Sequence, residues 1–333
     1  MMVLFEYAVA FLVAWYLNII VHEGGHLIFG LLCGYRFCSF RIGSLMIVRQ
    51  NGKINFRSYK LAGTGGQCLM IPPEKPESSN KIILFNLGGI ILNFFLGLIA
   101  VALKSFLPDI YIISTALSFT GIIAIVTILT NGIPLNVGGI ANDGMNALHL
   151  SKNPDAAEAF RKALFINAAQ TEGVRISNMP EDWFTLSETA DMQNVHCASL
   201  SVFAAGRTLD GGDTIAAEQQ IIALLNSDFN IIGLHRSLLT CDLICCRLLN
   251  DPSADISRYM TPQLSKIMQA MKTYPSVMRT EYIIALLSER REKKAEKILL
   301  DYNKNTKNFP YRQDVESELY LMSKALEIFK NHL

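Results

Sequence analysis

Hydrophobic residues form three long stretches in the first 150 positions of the chain, Val3 to Leu32, Ile82 to Leu103 and Ile110 to Thr130. Each stretch reaches the ~20 residues that a helix needs to cross a bilayer core. Further along the chain the pattern changes, because apolar residues recur at helical spacing between charged ones. We therefore predict an all-α, polytopic membrane protein, with a three-helix transmembrane domain over 1–150 and a soluble helical domain over 151–333.

The polar segment between the first two stretches contains a signal for extended structure. Two apolar runs, Phe40 to Val48 and Ile54 to Arg57, flank Gln50-Asn51-Gly52-Lys53. Asn-Gly between two such runs is a strong signal for a tight hairpin turn. The sequence predicts a small β-hairpin insertion at about 38–60, and a hairpin beside an active site has an exposed edge that can pair with an extended substrate.

Charged residues are distributed unevenly between the two connecting segments. The turn between the second and third stretches contributes only Lys104 and Asp109, whereas the longer first segment is rich in cations. Those cations are Arg36, Arg41, Arg49, Lys53, Arg57, Lys60, Lys75 and Lys81. By the positive-inside rule the longer segment is cytosolic. We expect a multi-pass protein of the cell membrane, with its N-terminus outside and its C-terminal domain in the cytosol.

The C-terminal half has the pattern of paired helices. Turn residues at Asp210 to Asp213 and at Asn250 to Ser253 separate its apolar periodic segments, which suggests helical hairpins stacked as a short α-solenoid. Phe203 to Glu218 and Ala285 to Glu296 bear a weak resemblance to tetratricopeptide-type repeats. Solenoids commonly bind protein segments, so a protein partner is one expectation and a purely stabilising appendage is the other.

Composition excludes some classes of function. A net charge of +1 without a long basic stripe argues against binding to nucleic acid. The chain has 7 cysteines, an odd number without the spacing of a disulfide framework, so we expect free thiols in a reducing compartment. Residues 1–21 are apolar but lack a basic leading segment, which favours an uncleaved membrane anchor over a signal peptide.

The first stretch ends in a metal-binding pattern, His22-Glu23-Gly24-Gly25-His26. Residues four apart share a helix face, so both imidazoles can reach one zinc ion while Glu23 acts as the general base. Asn18 extends the two histidines into one polar stripe on an otherwise apolar helix. A plain membrane anchor ending in polar residues is the alternative, but such an anchor has no use for this stripe, and ionisable residues within a membrane helix are usually functional.

A catalytic zinc ion typically has three protein ligands and one open position. The third stretch ends at the helix-breaking sequence from Asn131 to Pro134, and Asp143 follows closely, which makes it the candidate third ligand. Asp143 can also be an Asx-turn or helix N-cap residue, and the two roles are compatible. Asp109 is the only other acid near a crossing end in this half, and the predicted topology places it on the opposite side.

The second stretch contains small and amide residues among its apolar ones. Gly88, Gly89 and Gly97 let neighbouring membrane helices approach closely, and Asn86 shares a face with Asn93. Membrane helices use asparagine as interhelical glue, so that role stays open for Asn93 beside a direct catalytic or substrate-binding one.

These motifs together resemble the site-2 protease family of intramembrane zinc metalloproteases. The matching elements, in chain order, are His22-Glu23-Gly24-Gly25-His26, then Gly88-Gly89 with Asn93, then Asn131, Pro134 and Asp143-Gly144. The resemblance covers about residues 1–150. The chain departs from the family pattern at Asn142, where the family usually has leucine, and in a longer link from Leu135 to Ala141.

The resemblance implies cleavage of membrane-spanning or membrane-associated proteins within or near the lipid bilayer. It implies a Zn²⁺ cofactor held by residues matching His22, His26 and Asp143, with Glu23 as the base. Residues that match substrate-binding positions of the family are Asn93, Asn131 and Pro134. No recognisable PDZ or CBS segment accompanies the motifs.

Two other classes of function remain open from the sequence. A non-catalytic membrane scaffold or receptor would use the helical domain to bind partners and would retain a vestigial metal site. Intact Glu23 argues against that alternative. A zinc-dependent transporter or metal sensor would need more intramembrane ligands than the sequence offers.

Overall fold

The protein is mostly helical in the computed structural model, which describes residues 2–50, 52–58, 65–75, 78–108, 110–137, 140–307 and 309–331. The chain divides into two compact units, Met1–Leu164 and Phe165–Leu333. The division falls within a single helix, Pro154–Thr171, some residues beyond the end of the predicted transmembrane domain.

Three long helices dominate the first unit: α1 (Met2–Cys33), α2 (Ser79–Phe106) and α3 (Tyr111–Gly132). They coincide with the three predicted crossings, and all three are long and apolar enough to span a membrane. Each helix packs against the other two. Their outward side chains are apolar and exposed, as lipid-facing side chains are, and the polar residues that they bury are few.

A four-stranded antiparallel sheet connects α1 to α2. Its strands are β1 (Arg36–Ile42), β2 (Leu45–Gln50), β3 (Lys53–Ser58) and β4 (Gly66–Ile71), in the spatial order β3-β2-β1-β4. The prediction of a two-stranded hairpin at about 38–60 was therefore incomplete.

The first predicted strand, Phe40 to Val48, is in fact two strands. Ile42 pairs with Leu45 across a tight turn at Gly43, whose φ of 57° lies in the left-handed region that favours glycine. The second tight turn lies where Asn-Gly predicted it, because Gln50 pairs with Lys53 and Gly52 has a φ of 74°. Asn51 lies outside the described residues.

An apolar cluster anchors the sheet to the helices. Cys33, Tyr35, Met70 and Phe85 are buried together, and the rings of Tyr35 and Phe85 stack with centroids 4.4 Å apart. Burying aromatic rings of this size stabilises a fixed arrangement of β4, α1 and α2. The start of β1, the second half of β4 and the first two turns of α2 are thereby held against the end of α1.

The chain after α3 turns back towards α2. Helix α3 ends at Gly132, close to the predicted break, and a short hairpin of β5 (Asn136–Val137) and β6 (Ile140–Ala141) follows. Gly138 and Gly139 lie outside the described residues. Helix α4 (Asp143–Leu150) then packs against α2 and α3.

The rest of the chain is helical. After α5 (Pro154–Thr171), the helices are α6 (Val195–Asp210), α7 (Thr214–Asn226), α8 (Gly233–Asn250), α9 (Pro262–Ala270), α10 (Pro275–Ile283), α11 (Glu292–Asn305) and α12 (Arg312–Asn331). A π-helical turn over Ile284–Ser288 continues α10. Consecutive helices pack as neighbours, as α6 with α7 and α7 with α8. The solenoid and tetratricopeptide-like interpretations stay predictions.

A buried ion-pair network organises the second unit. Arg279 is fully buried on α10 and pairs with Asp242 of α8 and Glu318 of α12. A buried guanidinium is tolerated only when carboxylates and hydrogen bonds compensate its lost hydration. Cys241 and Cys245 are buried free thiols. Among the described residues neither belongs to a cluster that could hold a metal ion.

Candidate metal centre

His22 and His26 lie one turn apart on α1, and their rings meet on one face. The two Nε2 atoms are 3.4 Å apart. Both side chains are mostly buried, with 12 % of each exposed. The four-residue spacing of the two histidines thus places both rings on one helix face, with the Nε2 atom of each ring pointing to a common position.

Asp143 approaches that position from α4. Its Oδ2 lies 3.0 Å from His22 Nε2 and 3.4 Å from His26 Nε2. Asp143 is the first residue of α4, and the N-cap residue is Asn142, so the alternative of Asp143 itself as the N-cap was wrong.

The side chain of Asn142 fixes the start of α4 and therefore the position of Asp143. Its side-chain oxygen accepts hydrogen bonds from the backbone N–H groups of Met145 and Leu135. Its amide donates to the carbonyl oxygens of Thr130 and Ile133, at 2.7 Å each. A leucine could make none of these bonds. The departure from the family pattern therefore ties the start of α4 to the end of α3.

The hydrogen bonds of the two rings decide which nitrogens are free. His26 Nδ1 lies 3.0 Å from the carbonyl oxygen of Phe85, which can only accept, so Nδ1 carries the proton. His22 Nδ1 lies 3.0 Å from Asn93 Oδ1 and donates in the same way. Both Nε2 atoms then present lone pairs towards Asp143 Oδ2, a buried oxygen without a hydrogen-bond partner among the described residues.

Three electron-pair donors that face one another this closely repel unless a proton or a metal cation lies between them. Ligands at 2.0–2.1 Å around a tetrahedral zinc ion are separated by about 3.3 Å. The three separations here are 3.0, 3.4 and 3.4 Å. The donor set of two imidazoles and one carboxylate is also one that zinc accepts in catalytic sites. The residues therefore fit a zinc ion with an open fourth position.

Glu23 lies beside this triangle and against the sheet. A Cβ built on Gly66, the first residue of β4, would come within 2.6 Å of Glu23 Cγ and 2.7 Å of Oε1. The Glu23 carboxylate also receives a backbone hydrogen bond from Cys68. The edge of β4 thus holds Glu23 in place, and the sequence pattern predicted neither this strand nor Glu23 as the neighbour of Gly66.

Close helix packing brings α2 against the metal-binding face of α1. A Cβ built on Gly89 would lie 2.7 Å from the His22 ring and 2.8 Å from His26 Nε2. The prediction that small residues of the second crossing allow close approach agrees with this geometry. Glycine is the residue that leaves room for both imidazoles here.

The remaining candidate residues occupy different surroundings. Asn93 is completely buried between α1 and α2, with its amide towards Asn18 and its oxygen towards His22. Asn131 is half-buried at the end of α3 and donates to the carbonyl oxygen of Thr127, and Pro134 is exposed. Asp109, the alternative acid, lies outside the described residues.

Three membrane-length helices that bring a His-Glu-Xaa-Xaa-His motif and a distant aspartate together define a membrane protein with a site that could hold a metal ion. The model of peptidase family M50 matches residues 10–297, and the chain belongs to this family. This membership confirms the predicted resemblance to the site-2 protease family, whose members are zinc metalloproteases of membranes. The match extends through most of the helical half, well beyond the first 150 residues. No curated protein and no solved structure matches the chain.

Proposed function

We propose that this protein is an intramembrane zinc metalloprotease that hydrolyses peptide bonds of membrane-spanning or membrane-associated proteins. The observation that carries the proposal is the convergence of His22 Nε2, His26 Nε2 and Asp143 Oδ2 to within 3.4 Å of one another, with Glu23 alongside. Family membership supports the general class of reaction.

The side chains have separate roles in this mechanism. His22, His26 and Asp143 would hold the zinc ion, which supplies Lewis-acid polarisation of the scissile carbonyl and lowers the pKa of a water molecule. Glu23 accepts the proton of the attacking water and delivers it to the leaving amine nitrogen. The backbone N–H of Cys68 and the close approach of Gly66 keep the Glu23 carboxylate aimed at that water.

A peptide bond within a helix is not accessible to such a centre, so the substrate must be locally extended. The hairpin at about 38–60 was the candidate receiver, but β3 lies three strands away from β4 in the sheet order. The strand beside Glu23 is β4. We therefore assign the positioning of the extended substrate to the β4 side of the sheet, with Asn131 and Pro134 as further contacts.

The proposed topology follows the distribution of basic residues. The N-terminus is outside, the sheet and the metal centre lie towards the cytosolic side, and the second unit is cytosolic. In that unit a cavity of about 290 Å³ is lined by apolar, neutral polar and acidic side chains, including Phe203, Leu238, Tyr274 and Asp314. A cavity of this kind suits the capture of a partner's side chain, which is the role proposed for the helical half.

The test replaces Glu23 with glutamine in cells that express the full-length protein. Membrane fractions from Glu23→Gln cells should accumulate anchored protein fragments that the wild type removes. The matched control is Glu6→Gln, because Glu6 is the other glutamate of α1. Purified wild-type and Glu23→Gln proteins should both retain about one zinc ion. Identical fragment patterns in all three strains would favour the scaffold function instead.

A further inference from the structure

Two buried asparagines connect the metal-binding face of α1 to α3. Asn18 and Asn93 are 1 % and 0 % exposed. The amide of Asn93 donates to Oδ1 of Asn18 at 2.9 Å and to its backbone oxygen at 3.2 Å. Oδ1 of Asn93 lies 3.0 Å from His22 Nδ1. Asn18 is therefore linked to a metal-binding imidazole through a single intermediate side chain.

In the series of hydrogen bonds from Asn18 through Asn93 to His22, the donor and acceptor of each bond are fixed at the Asn18 end. The amide nitrogen of Asn18 lies 2.9 Å from the carbonyl oxygen of Ala14 and 3.2 Å from that of Thr120. Carbonyl oxygens can only accept, so the Asn18 amide donates to them and its Oδ1 faces Asn93. Asn93 must then turn its own amide to Asn18 and its own oxygen to His22.

His26 and His22 are held in different ways. The partner of His26 Nδ1 is the backbone carbonyl of Phe85, which has no second orientation. The partner of His22 is a side-chain amide, which can rotate to present either a donor or an acceptor. If Asn93 presented its amide N–H group to His22, Nδ1 of His22 would have to accept the hydrogen bond. The ring proton of His22 would then move to Nε2, the atom required for the metal.

We propose that Asn18 is a positioning residue that acts through Asn93 to hold His22 in the tautomer with a free Nε2. The inference rests on the proposed zinc site, and it goes further by assigning a role to a residue one helical turn before the motif. It predicts that Asn18 influences metal affinity without touching the metal. Partners of metal-binding histidines commonly have such effects, since their loss reduces metal affinity about 10- to 100-fold.

The first experiment observes the tautomer directly, in metal-free full-length protein in detergent. Histidine-selective ¹⁵N NMR distinguishes protonated from unprotonated ring nitrogens, and a His22→Gln sample assigns the His22 signals. In the wild type, Nδ1 of His22 should be protonated. Asn18→Leu keeps a similar side-chain volume and removes the closer of the two acceptors of the Asn93 amide, leaving only the backbone oxygen of residue 18 at 3.2 Å, so a fraction of the Nε2-protonated form should appear. Asn18→Ala repeats the test without a steric demand if the leucine variant folds poorly.

The second experiment measures zinc affinity by chelator competition on the same proteins. Asn18→Leu should weaken zinc binding about 10- to 100-fold. Asn93→Asp presents an oxygen to His22 in either orientation, so the zinc affinity of this variant should not depend on the Asn18 side chain. Adding Asn18→Leu to Asn93→Asp should then cause no further loss, a non-additivity that marks a shared pathway.

Asn86→Leu is the matched control for losing a buried membrane asparagine. Asn86 is 4 % exposed on α2, but its amide donates to the carbonyl oxygen of Ile82 within its own helix. Its replacement should leave the His22 tautomer and the zinc affinity unchanged. An equal loss of affinity in Asn86→Leu would show a general packing defect and would overturn the inference.

The two experiments separate this inference from the proposed function. An unchanged His22 tautomer in both Asn18 variants overturns the role of Asn18, whether or not the wild type binds zinc and cleaves substrates. If the wild type binds no zinc but the Asn18 variants still change the His22 tautomer, the hydrogen-bond role stands and the metalloprotease is refuted.

Discussion

The carbonyl oxygen of Gly88 lies 2.2 Å from the position that a Cβ on Gly25 would occupy, and a Cβ on Gly88 would lie 2.6 Å from the carbonyl oxygen of Gly25. Helices α1 and α2 therefore meet backbone to backbone, within the metal-binding motif itself. This contact brings the Phe85 carbonyl and the Asn93 side chain within hydrogen-bond distance of the two imidazoles. The packing of α1 against α2 therefore also positions the groups that hold the two imidazoles.

Gly25→Ala should disturb this contact. The added methyl group overlaps backbone atoms that cannot move aside, so the helices must separate, at a cost of about 1–3 kcal/mol. We expect a lower melting temperature and weaker zinc binding. Gly24→Ala is the matched control, because a Cβ on Gly24 meets no atom within 4 Å. Equal thermal stability and zinc affinity of the two variants would contradict the close approach.

Gly66→Ala should impair catalysis while sparing the metal. The new Cβ would occupy the space of Glu23 Cγ and Oε1, so the carboxylate must move, whereas none of the atoms nearest to this Cβ belongs to His22, His26 or Asp143. We expect a large fall in kcat with unchanged zinc content, measured with a purified substrate in detergent. Gly65→Ala places its Cβ 3.1 Å from the flexible end of Ile19, and it should be far milder.

Asn142→Ala should weaken zinc binding although Asn142 is not a metal ligand. The variant loses the N-cap of α4 and the bonds that tie Asp143 to the end of α3. Cap removal by itself reduces stability by about 0.5–2 kcal/mol. Asn153→Ala removes the cap of α5 and serves as the control. Only the first variant should change the zinc affinity measured by chelator competition.

Asp314 should make the second unit less stable as the pH rises. Burial, together with the neighbouring Glu318 carboxylate, raises the pKa of Asp314 to about 7 from an ordinary value of 3.8. Between these values the folded chain holds a proton that the unfolded chain has lost. The free energy of unfolding should therefore fall as the pH rises from about 4 to about 7.

Asp314→Asn should remove that slope and should be the more stable protein at pH 8, by at most about 4 kcal/mol. In a Trp15→Phe background, Trp183 fluorescence follows the unfolding of this unit, because the chain has only 2 tryptophans. The exposed Asp301→Asn on α11 is the control. A wild type whose stability rises with pH across this window would contradict the assignment.

The sequence was sufficient for the features that depend on local spacing. The lengths of the apolar stretches predicted α1, α2 and α3, and the four-residue spacing of His22 and His26 predicted a shared face. The position of Gly52 is also a local property, because Asn-Gly favours one type of turn. The strand break at Gly43 was missed, since Phe40 to Val48 reads as one apolar run and glycine alone does not reveal a positive φ.

Features that join distant parts of the chain were beyond such patterns. Asp143 was a candidate by position, but only the bonds of Asn142 to the end of α3 decide where its carboxylate lies. Gly66 gave no sign of its contact with Glu23, because that contact depends on how β4 docks against α1.

The sequence by itself determined which segments can lie in lipid and which residues carry metal and acid–base chemistry, because hydropathy and helical spacing act over short distances. The tertiary structure decided which nitrogen of each histidine is free and what holds Glu23 in place. Those properties depend on hydrogen bonds and close contacts between residues tens of positions apart, and the folded packing of α1, α2, α3 and β4 is what brings them together.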